Sequence, residues 1–322
     1  MADFSQDTKP GGVLALAGGV GGAKLALGLS RVLAPKDLTV VVNTGDDEIF
    51  YGLHVSPDID TVTYSLAGLA NPETGWGFAG DTFNALETLG TLGADTWFGL
   101  GDHGLALHIR RSDMLRSGMT LSEVTLELSN RMGVRHPIVP MSDQRVSTVI
   151  ESSDGEMPFQ EYFVHRRSEP DVLGLRFDGV KLAKPAPVFA ASIQNASAIV
   201  FCPSNPFLSV DPILAIPGTK VGIADSGVPR VIVSPIIGGQ AIKGPAARIF
   251  ETFANKPPSA LAVAQHYAGL ATHFVMDTVD EASRSEVEAL GYTVLVTETL
   301  MTSEEHKIAL AKAVCEMVGV PV

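Results

Sequence analysis

Residues 13–24 read Val-Leu-Ala-Leu-Ala-Gly-Gly-Val-Gly-Gly-Ala-Lys, an apolar run that opens into a glycine-rich turn. A stretch of helical character follows directly, over residues 23–33. Runs that are apolar throughout are typical of strands covered on both faces, as in a parallel sheet. A strand, a turn and a helix in this order predict the first part of a βαβ unit.

Similar apolar runs recur along the chain, and polar or glycine-rich residues follow each of them. Helical stretches such as residues 246–254 separate several of the runs. The pattern predicts an α/β, Rossmann-like fold, with a mostly parallel sheet and helices on both faces. In open α/β sheets ligands bind at the carboxyl ends of the strands, so we expect the functional site there. The runs are residues 13–17, 39–42, 96–100, 198–202, 231–233, 272–276 and 293–296.

The alternation of strands and helices breaks between about residues 105 and 185. Thr120-Leu-Ser-Glu123 matches a helix capping box and predicts a helix to about residue 132. The runs 146–151 and 159–164 flank Ser-Ser-Asp-Gly and predict a β-hairpin. We interpret residues 1–322 as a single Rossmann-like catalytic domain, with a mixed α/β subdomain inserted at about 105–185 over the ligand edge. Residues 303–318 predict a closing amphipathic helix.

The composition disfavours several classes of protein. A formal charge of −13, from 36 acidic and 23 basic residues, repels phosphate backbones, so we expect no nucleic acid partner. An anionic nucleotide is compatible with this charge, because a metal ion and local basic residues reverse the field within one pocket. Two cysteines are too few for a disulfide framework, which predicts a cytoplasmic protein. We expect no membrane span, because no apolar run reaches roughly 18 residues. We expect no signal peptide, because residues 1–7 are polar and lack a basic region before an apolar core.

Two acidic loops lie close together in the sequence. Asn-Thr-Gly-Asp46-Asp47 follows one apolar run, and Ser-Pro-Asp58-Ile-Asp60-Thr comes soon after it. Two carboxylates about 4 Å apart repel by roughly 4 kcal/mol at an effective dielectric constant near 20. Binding a cation lowers this penalty, and Mg²⁺ typically takes one or two carboxylates together with waters and phosphates. We predict a magnesium site at Asp46, Asp47, Asp58 and Asp60; the alternative is solvated loop acids and turn caps.

The glycine-rich turn is a candidate for binding a phosphate. It is not a P-loop, because Lys24 follows alanine and precedes leucine, and the third glycine of a dinucleotide fingerprint is missing. Backbone N–H groups at the start of a helix nevertheless suit an anion. We predict nucleotide binding by this turn, with the alternative that its glycines only permit a tight turn. The candidate residues are Gly18, Gly19, Gly21, Gly22 and Lys24.

Further candidates for substrate binding follow predicted strands or lie in glycine-flexed loops. Trp76, which stands between two glycines, suits stacking on a flat ring, and Asp102 follows an apolar run. Hydroxyl, amide and guanidinium groups suit a base, a ribose or a phosphate, and Lys243 adds a cation. For each residue the alternative is an ordinary loop or turn. The candidates are Trp76, Asp102, Ser142, Asp143, Arg145, Ser204, Asn205, Gly238, Gly239 and Lys243.

Taken in order, several sequence blocks resemble the 2-phospho-L-lactate transferase family of coenzyme F420 biosynthesis. The resemblance spans roughly residues 13–248. Several blocks in one order are far more specific than a single glycine loop. The blocks are Asn-Thr-Gly-Asp-Asp (43–47), Ser-Pro-Asp-Ile-Asp-Thr (56–61), Pro-Met-Ser-Asp (140–143), Phe-Gln-Glu-Tyr-Phe (159–163), Ser-Asn-Pro (204–206) and Ser-Pro-Ile-Ile-Gly-Gly with Lys-Gly-Pro-Ala-Ala (within 234–247).

The resemblance implies a Rossmann-like transferase that uses Mg²⁺ and is usually a homodimer. Family members move a phospholactyl-type group (phospholactate, phosphoenolpyruvate or phosphoglycerate) from a guanosine-diphosphate-linked donor to the hydroxyl of the deazaflavin Fo. GMP is released. For this chain the resemblance implies catalytic roles for Asp46, Asp47 and Asp60, and a place for Trp76 beside the deazaflavin ring. The three donors stay open as alternatives.

The chain departs from the family pattern at Val20, where threonine is common, and at Gly104 and Gln144, where an acid is common. Two other functions compete with group transfer. One is a non-catalytic, nucleotide-sugar-binding regulatory protein of the gluconeogenesis-factor type, against which the blocks at 56–61 and 159–163 argue. The other is an NAD(P)-dependent oxidoreductase, which the missing third glycine disfavours.

Overall fold

A computed structural model describes residues 12–241, 246–254 and 256–322. The strands are β1 (Val13–Ala17), β2 (Leu38–Val42), β3 (Glu48–Phe50), β4 (Leu53–Val55), β5 (Ile138–Pro140), β6 (Ser147–Ser152), β7 (Gly155–Pro158), β8 (Val172–Asp178), β9 (Ala198–Phe201), β10 (Arg230–Val233), β11 (Ile236–Ile237), β12 (Gln240–Ala241), β13 (His273–Asp277) and β14 (Thr293–Thr297). The α-helices are α1 (Gly19–Val32), α2 (Pro57–Ala67), α3 (Asn84–Thr91), α4 (Asp102–Arg116), α5 (Leu121–Arg131), α6 (Pro187–Asn195), α7 (Asp211–Ala215), α8 (Thr219–Ala224), α9 (Ala246–Ala254), α10 (Ala260–His266), α11 (Arg284–Ala289) and α12 (Glu304–Met317). Across the described ranges, none of the helices is long and apolar enough to cross a membrane.

The main sheet has seven parallel strands in the order β14-β13-β10-β9-β1-β2-β5. From β1 the chain builds β2 and β5 on one side and then returns to the other side through β9. The topology therefore reverses between β1 and β9, and the loops after these strands open a crevice at the carboxyl edge. The predicted Rossmann-like α/β fold is confirmed.

Both faces of the main sheet are buried, because successive side chains of a strand point into two different cores. In β1, Leu14 and Leu16 belong to the core that α6, α7, α8 and α10 cover. Val13, Ala15 and Ala17 belong to the opposite core, which α1, α2 and α12 cover. This arrangement explains why the first run is apolar at every position.

The first and last helices cross closely over the second core. A Cβ atom at Gly28 of α1 would clash with the carbonyl oxygen of Lys307 in α12, so only glycine fits at this crossing. Ser303 caps α12 by accepting a hydrogen bond of 3.3 Å from the backbone N–H of His306. The helix predicted over residues 303–318 is therefore confirmed, and its docking fixes the position of α1.

A second, antiparallel sheet has three strands in the order β7-β6-β8. Strand β6 contacts the first acidic loop, because the backbone N–H of Thr148 donates to the Gly45 carbonyl oxygen at 2.7 Å. The capping box of Thr120 and Glu123 is present, and α5 follows it as predicted. Strand β5 lies between α5 and β6 in the chain and pairs with β2. Residues 105–185 therefore contribute to the main sheet as well as to the second sheet.

Two of the predicted strands are wrong. Residues 96–100 are irregular, because Phe98 stacks on Phe50 of the β3–β4 hairpin with ring centroids 4.1 Å apart. The hairpin at Ser-Ser-Asp-Gly forms between β6 and β7, but the predicted second strand at residues 159–164 does not. Strand β7 ends at Pro158, which lacks a backbone N–H, and residues 161–165 form a π-helical turn instead. Phe159 and Tyr162, both within the predicted second strand at 159–164, are buried at helical spacing. The other predicted runs coincide with strands of the structure to within one residue.

Candidate active site

The first acidic loop follows β2 and is folded around the side chain of Asn43. Asn43 Nδ2 donates to Asp58 Oδ2 at 3.0 Å, and Asn43 Oδ1 accepts a hydrogen bond of 2.8 Å from the Gly45 backbone N–H. A Cβ atom on Gly45 would lie 2.7 Å from Thr148 Oγ1, so glycine lets β6 approach. All residues from 43 to 47 are buried. The loop is thus held between the two sheets.

Asp46 and Asp47 are buried carboxyl groups. Burial, followed by the charges of Asp58 and Asp47, raises the pKa of Asp46 well above its usual range. Burial also raises the pKa of Asp47, although a hydrogen bond with His54 opposes this effect. Among the described residues, Asp46 Oδ1 and Asp47 Oδ1 have no hydrogen-bond partner. Buried carboxyl oxygens without donors on two adjacent residues suit a bound cation.

The other oxygen of Asp47 is held by two side chains. His54 Nε2 lies 2.9 Å from Asp47 Oδ2, and Ser56 Oγ donates to the same oxygen at 2.7 Å. His54 belongs to β4, and Ser56 is the residue before α2. Together they fix the orientation of the Asp47 carboxyl group.

Asp58 joins the second acidic loop to the glycine turn. Its Oδ1 accepts a hydrogen bond of 2.8 Å from the backbone N–H of Gly19, the first residue of α1. Gly19 has a φ of +61°, which glycine adopts without strain. Burial raises the pKa of Asp58 to about 6, despite the hydrogen bonds from Asn43 and Gly19. The second acidic loop and the glycine turn are therefore in direct contact.

Asp60 forms a buried ion pair with Arg111 of α4. Arg111 Nη1 donates to Asp60 Oδ2 at 3.1 Å and Nη2 donates to Oδ1, with the two side chains 3% and 7% exposed, respectively. Arg111 Nη1 also lies 3.4 Å from the His54 carbonyl oxygen and 3.2 Å from His108 Nδ1. Burial lowers the pKa of His108 to about 4, which keeps this imidazole neutral beside the guanidinium. Both oxygens of Asp60 therefore have a donor.

The four aspartates of the predicted magnesium site divide into two pairs. Asp46 and Asp47 each keep an unpaired oxygen and fit a Mg²⁺ ion that also binds water and phosphate. Asp58 is engaged with a helix N-terminus, and Asp60 with a guanidinium group. Within the part of the chain that the structure describes, no three His, Cys, Asp or Glu side chains are grouped to hold a metal ion. The residues thus fit a site with two protein carboxylates rather than an all-protein cage.

The glycine turn packs tightly against the loop that follows β9. A Cβ atom at Gly21 would clash with the Pro203 carbonyl oxygen, and one at Gly22 would lie 2.5 Å from Ser204 Oγ. The Gly18 N–H donates to Ser204 Oγ at 3.1 Å, and that hydroxyl donates to the Gly18 carbonyl oxygen at 2.9 Å. Close packing therefore accounts for part of the glycine pattern, and the contact closes the floor of the crevice between β1 and β9.

Two other predicted nucleotide-binding residues lie on the elements that flank this crevice. Asn205 Oδ1 accepts hydrogen bonds from the backbone N–H groups of Phe207 and Leu208, at 3.0 and 3.2 Å, and so caps the π-helical turn that follows. Lys24 is half-buried on α1, beyond the glycine turn. The acceptor oxygen of Asn205 thus has a structural role.

A cavity of about 240 Å³ opens beside the first acidic loop. Asp47 and His54 line one wall, and the connection between α4 and α5 forms the opposite wall. The predicted residues Asp143 and Arg145 complete the lining. Asp143 Oδ1 also accepts a hydrogen bond of 2.8 Å from the Ser122 backbone N–H, which fixes α5 against this cavity.

The turn that carries these two lining residues is stabilised by its own side chains. Ser142 is buried, and its Oγ accepts a hydrogen bond of 3.1 Å from the Gln144 N–H. Gln144 Oε1 accepts a hydrogen bond of 2.9 Å from the Lys184 N–H. Arg145 Nη2 lies 3.4 Å from Glu48 Oε1 at the surface. The predicted residues 142, 143 and 145 therefore stand together, and Asp143 and Arg145 share a cavity with Asp47.

The Trp76 loop contacts the glycine turn. A Cβ atom on Gly75 would lie 2.6 Å from Val20 Cγ1, so the loop lies directly on Val20. Trp76 itself is 53% exposed. The valine that departs from the family pattern therefore faces the Trp76 loop.

Asp102 accepts hydrogen bonds at the start of α3, and Asp81 accepts hydrogen bonds at the start of α4. Asp102 accepts hydrogen bonds from Thr82 Oγ1 at 2.5 Å and from the Ala85 N–H at 3.0 Å, at the start of α3. Hydrogen bonds, first of all from Thr82, lower the pKa of Asp102 to about 2. Asp81 in turn accepts a hydrogen bond of 2.9 Å from the His103 N–H of α4. Among the described residues, all hydrogen bonds of the Asp102 side chain go to residues 82–85.

Two of the remaining candidates, Gly238 and Gly239, lie on the β9–β10–β13 side of the sheet. Gly238 and Gly239 form the turn between β11 and β12, with φ values of +58° and +76°. The Gly238 N–H donates to Asp280 at 3.1 Å, which ties this turn to the segment after β13. Lys243 lies outside the described residues.

Sequence reasoning missed the side chains that hold the aspartates, above all Arg111 and His54. Arg111 is 51 positions from Asp60, and the adjacent Arg110 has an exposed side chain that pairs with Asp113 instead. Nothing local in the sequence distinguishes the two arginines. The rotation of α4 relative to α2 decides which one is buried, and that rotation depends on tertiary packing.

A family model described as 2-phospho-L-lactate transferase CofD matches residues 13–311. The chain belongs to this family. The match includes the glycine turn, both acidic loops and α4, so the buried aspartate cluster lies within the 2-phospho-L-lactate transferase region of the chain. Membership favours the transferase prediction over the regulatory and oxidoreductase alternatives.

Relatives of the 2-phospho-L-lactate transferase family match nearly the whole chain. The phosphoenolpyruvate transferase of Streptomyces griseus is 42% identical over 313 residues, which cover 95% of this chain and 98% of the relative. The 2-phospho-L-lactate transferase of Methanosarcina mazei is 37% identical over 304 residues, 94% of this chain and 99% of the relative. A crystal structure of a UPF0052 family member from Bacillus halodurans aligns with a TM-score of 0.63 at 17% identity, over 95% of this chain and 99% of the other. That last similarity concerns the fold alone.

Proposed function

We propose that the protein transfers a phospholactyl-type group from a guanosine-diphosphate-linked donor to the hydroxyl of the deazaflavin Fo, releasing GMP, in coenzyme F420 biosynthesis. The transferred group is phospholactate, phosphoenolpyruvate or phosphoglycerate. Family membership supports this proposal, as do the relatives named phosphoenolpyruvate transferase and 2-phospho-L-lactate transferase.

One observation carries the proposal furthest: the acidic cluster and the glycine turn are joined by the hydrogen bond of 2.8 Å between Asp58 and Gly19. A diphosphate donor needs anion-binding groups and a counter-charge within one site. The N-terminus of α1 supplies backbone N–H groups and a positive helix dipole. The free oxygens of Asp46 and Asp47 supply the ligands for a divalent cation.

In the proposed reaction the Fo hydroxyl oxygen attacks the distal phosphorus of the donor. A new O–P bond forms, the bond from that phosphorus to the bridging oxygen breaks, and GMP leaves with the electron pair. A carboxylate of the acidic cluster accepts the hydroxyl proton. Burial raises the pKa of Asp58 to about 6, which moves this carboxylate toward the range in which a general base works. The protein also contributes by positioning the Fo hydroxyl and the donor for the attack.

Mg²⁺ is the proposed cofactor, held by Asp46 and Asp47. Bound there, it would neutralise charge on the diphosphate as GMP leaves. The nucleotide is assigned to the crevice between the glycine turn and the Ser204–Asn205 loop. Asp143 and Arg145 would contact the substrate in the cavity beside Asp47, and the half-exposed Trp76 would border the Fo ring.

The protein is further proposed to act as a homodimer in the cytoplasm, with small-molecule substrates. Light scattering coupled to size-exclusion chromatography tests the dimer. The relatives named phosphoenolpyruvate transferase, at up to 42% identity, make the phosphoenolpyruvyl donor the first to assay.

The test is a mass-spectrometric transfer assay. Purified protein and Fo are incubated with each of the three donors, once in the presence of Mg²⁺ and once in the presence of excess chelator. We expect GMP and the matching Fo phosphodiester from one donor, in the presence of Mg²⁺ only. Asp47→Asn serves as the control for contaminating activity. Tight nucleotide binding without product from any donor would contradict the proposal and favour a regulatory protein.

A further inference from the structure

Arg111 contacts both ends of one short segment. At one end its Nη1 lies 3.4 Å from the carbonyl oxygen of His54. At the other end its two terminal nitrogens hold the carboxylate of Asp60. Its neighbour Ser112 adds a third contact, because Ser112 Oγ accepts a hydrogen bond of 2.7 Å from the His54 backbone N–H. Helix α4 therefore holds residues 54–60 at their beginning and at their end.

That segment carries the groups that hold the acidic loop and the glycine turn. His54 Nε2 and Ser56 Oγ both contact Asp47 Oδ2, at 2.9 and 2.7 Å. Asp58 accepts the hydrogen bond of 2.8 Å from Gly19. A shift of residues 54–60 would therefore move Asp47 and the start of α1 together.

We propose that Arg111 is a positioning residue for the transfer reaction, which clamps residues 54–60 and thereby orients the free Oδ1 of Asp47. It acts through His54 and Asp60 and does not touch the substrate. The expected effect on kcat rests on the proposed transferase function. The expected effect on the position of residues 54–60 rests on the contacts described above.

The chemistry of the guanidinium group explains why arginine is needed at this position. Its planar fork donates to both oxygens of a carboxylate and has further N–H groups for a carbonyl oxygen, whereas a lysine ammonium is a point donor on a flexible stem. Arg111 makes these contacts with a side chain that is only 3% exposed. Arg110 makes an exposed pair with Asp113 on the same helix. The two adjacent arginines thus provide a test position and a matched control.

The experiment compares Arg111→Lys with Arg110→Lys in the full-length protein. The first measurement is kcat and KM for the donor with Mg²⁺ and Fo. The second is the NMR signals of the His54 ring in the ligand-free protein, assigned with His54→Gln. For Arg111→Lys we expect kcat to fall about 10- to 100-fold with KM changed less than about 3-fold, and the His54 ring signals to move. Arg110→Lys should leave both readouts at wild-type values.

A folded Arg111→Lys protein with the kcat of Arg110→Lys would overturn the inference, and so would unmoved His54 ring signals. If Arg111→Lys does not fold, the double variant Arg111→Met with Asp60→Asn removes both buried charges and takes its place, with the same expectations. If the wild-type protein shows no transfer activity, the proposed function is wrong. The His54 ring signals would still decide whether Arg111 positions residues 54–60.

Discussion

The carboxylate of Asp58 lies at the N-terminus of α1, with its Oδ1 2.8 Å from the backbone nitrogen of Gly19. A protein anion thus occupies part of the position at which the sequence predicted a phosphate. A bound nucleotide would meet this carboxylate as well as the helix dipole. The protonation state of Asp58 is therefore expected to influence both stability and phosphate binding.

The ligand-free protein should become more stable as the pH falls from 7 toward 5. The pKa of Asp58 is about 6 in the folded protein, and about 3.9 for aspartate in unfolded chains. Between these values the folded state binds more protons, so the free energy of unfolding falls as the pH rises from about 4 to 6 and then levels off. Asp46 and Asp47 act in the same direction, because their pKa values are also raised. Urea denaturation at pH 5 and pH 7 measures the difference, which should shrink in Asp58→Asn. An equal pH dependence in the variant would exclude Asp58 as a source.

Asp46→Asn should stabilise the ligand-free protein at pH 7 and remove Mg²⁺ binding. Amide replacement removes a buried charge that desolvation and two neighbouring carboxylates penalise. A gain of about 1 kcal/mol is typical when a strained functional residue is replaced, and it corresponds to a few degrees in melting temperature. Calorimetric titration with Mg²⁺ and thermal denaturation measure the two effects. A lower melting temperature together with unchanged Mg²⁺ affinity would place the metal elsewhere.

Asp47→Asn and Asp60→Asn should have different consequences. Loss of Asp47 removes a free carboxylate oxygen, so we expect turnover to fall by about 100-fold or more without loss of stability. Loss of the Asp60 charge leaves Arg111 buried without its counter-ion, which costs roughly 3–5 kcal/mol of stability. Steady-state kinetics and chemical denaturation of both variants separate the two roles. The sequence predicted a metal-binding role for both residues, so an Asp60→Asn protein of wild-type stability would return Asp60 to the metal site.

Asp102 should tolerate replacement by asparagine. An amide oxygen still accepts from the Ala85 N–H and caps α3, so Asp102→Asn should change kcat and KM by less than about 3-fold. Asp102→Ala removes these acceptors and should lower the free energy of unfolding. Kinetics of the two variants, with their denaturation curves, form the measurement. A large loss of activity in Asp102→Asn at unchanged stability would restore its predicted role in substrate binding.

The main sheet was predictable because its strands carry an unambiguous signal. Each is buried on both faces, so its side chains are almost all apolar, and polar residues mark its carboxyl end. Residues 96–100 carry the same signal without forming a strand. The half-buried rings of Trp97 and Phe98 pack against Phe50 of the β3–β4 hairpin, and composition does not distinguish that environment from a sheet.

That the two acidic loops lie close together was also predictable. The first loop follows β2 and the second begins α2, so both lie at one edge of the sheet. The individual partners were not predictable. Asp58 and Asp60 are two positions apart on one helix, yet one contacts Gly19 and the other contacts Arg111. Those partners lie 39 and 51 positions away. Which partner each aspartate contacts depends on how α1, α2 and α4 pack against one another. The spacing of residues within a single motif does not encode that packing.

The close crossing of Gly28 and Lys307 has a consequence for the synthesis of the protein. Helix α1 is synthesised before α12, so the face of α1 that meets α12 stays uncovered until α12 has been made. Strand β1 likewise waits for β9, which is about 185 positions further along the chain. Such non-local contacts form late, so the nascent N-terminal half exposes apolar surface for most of translation. The glycine turn, which packs against Ser204 in the loop after β9, therefore takes its final form only after that loop has been made.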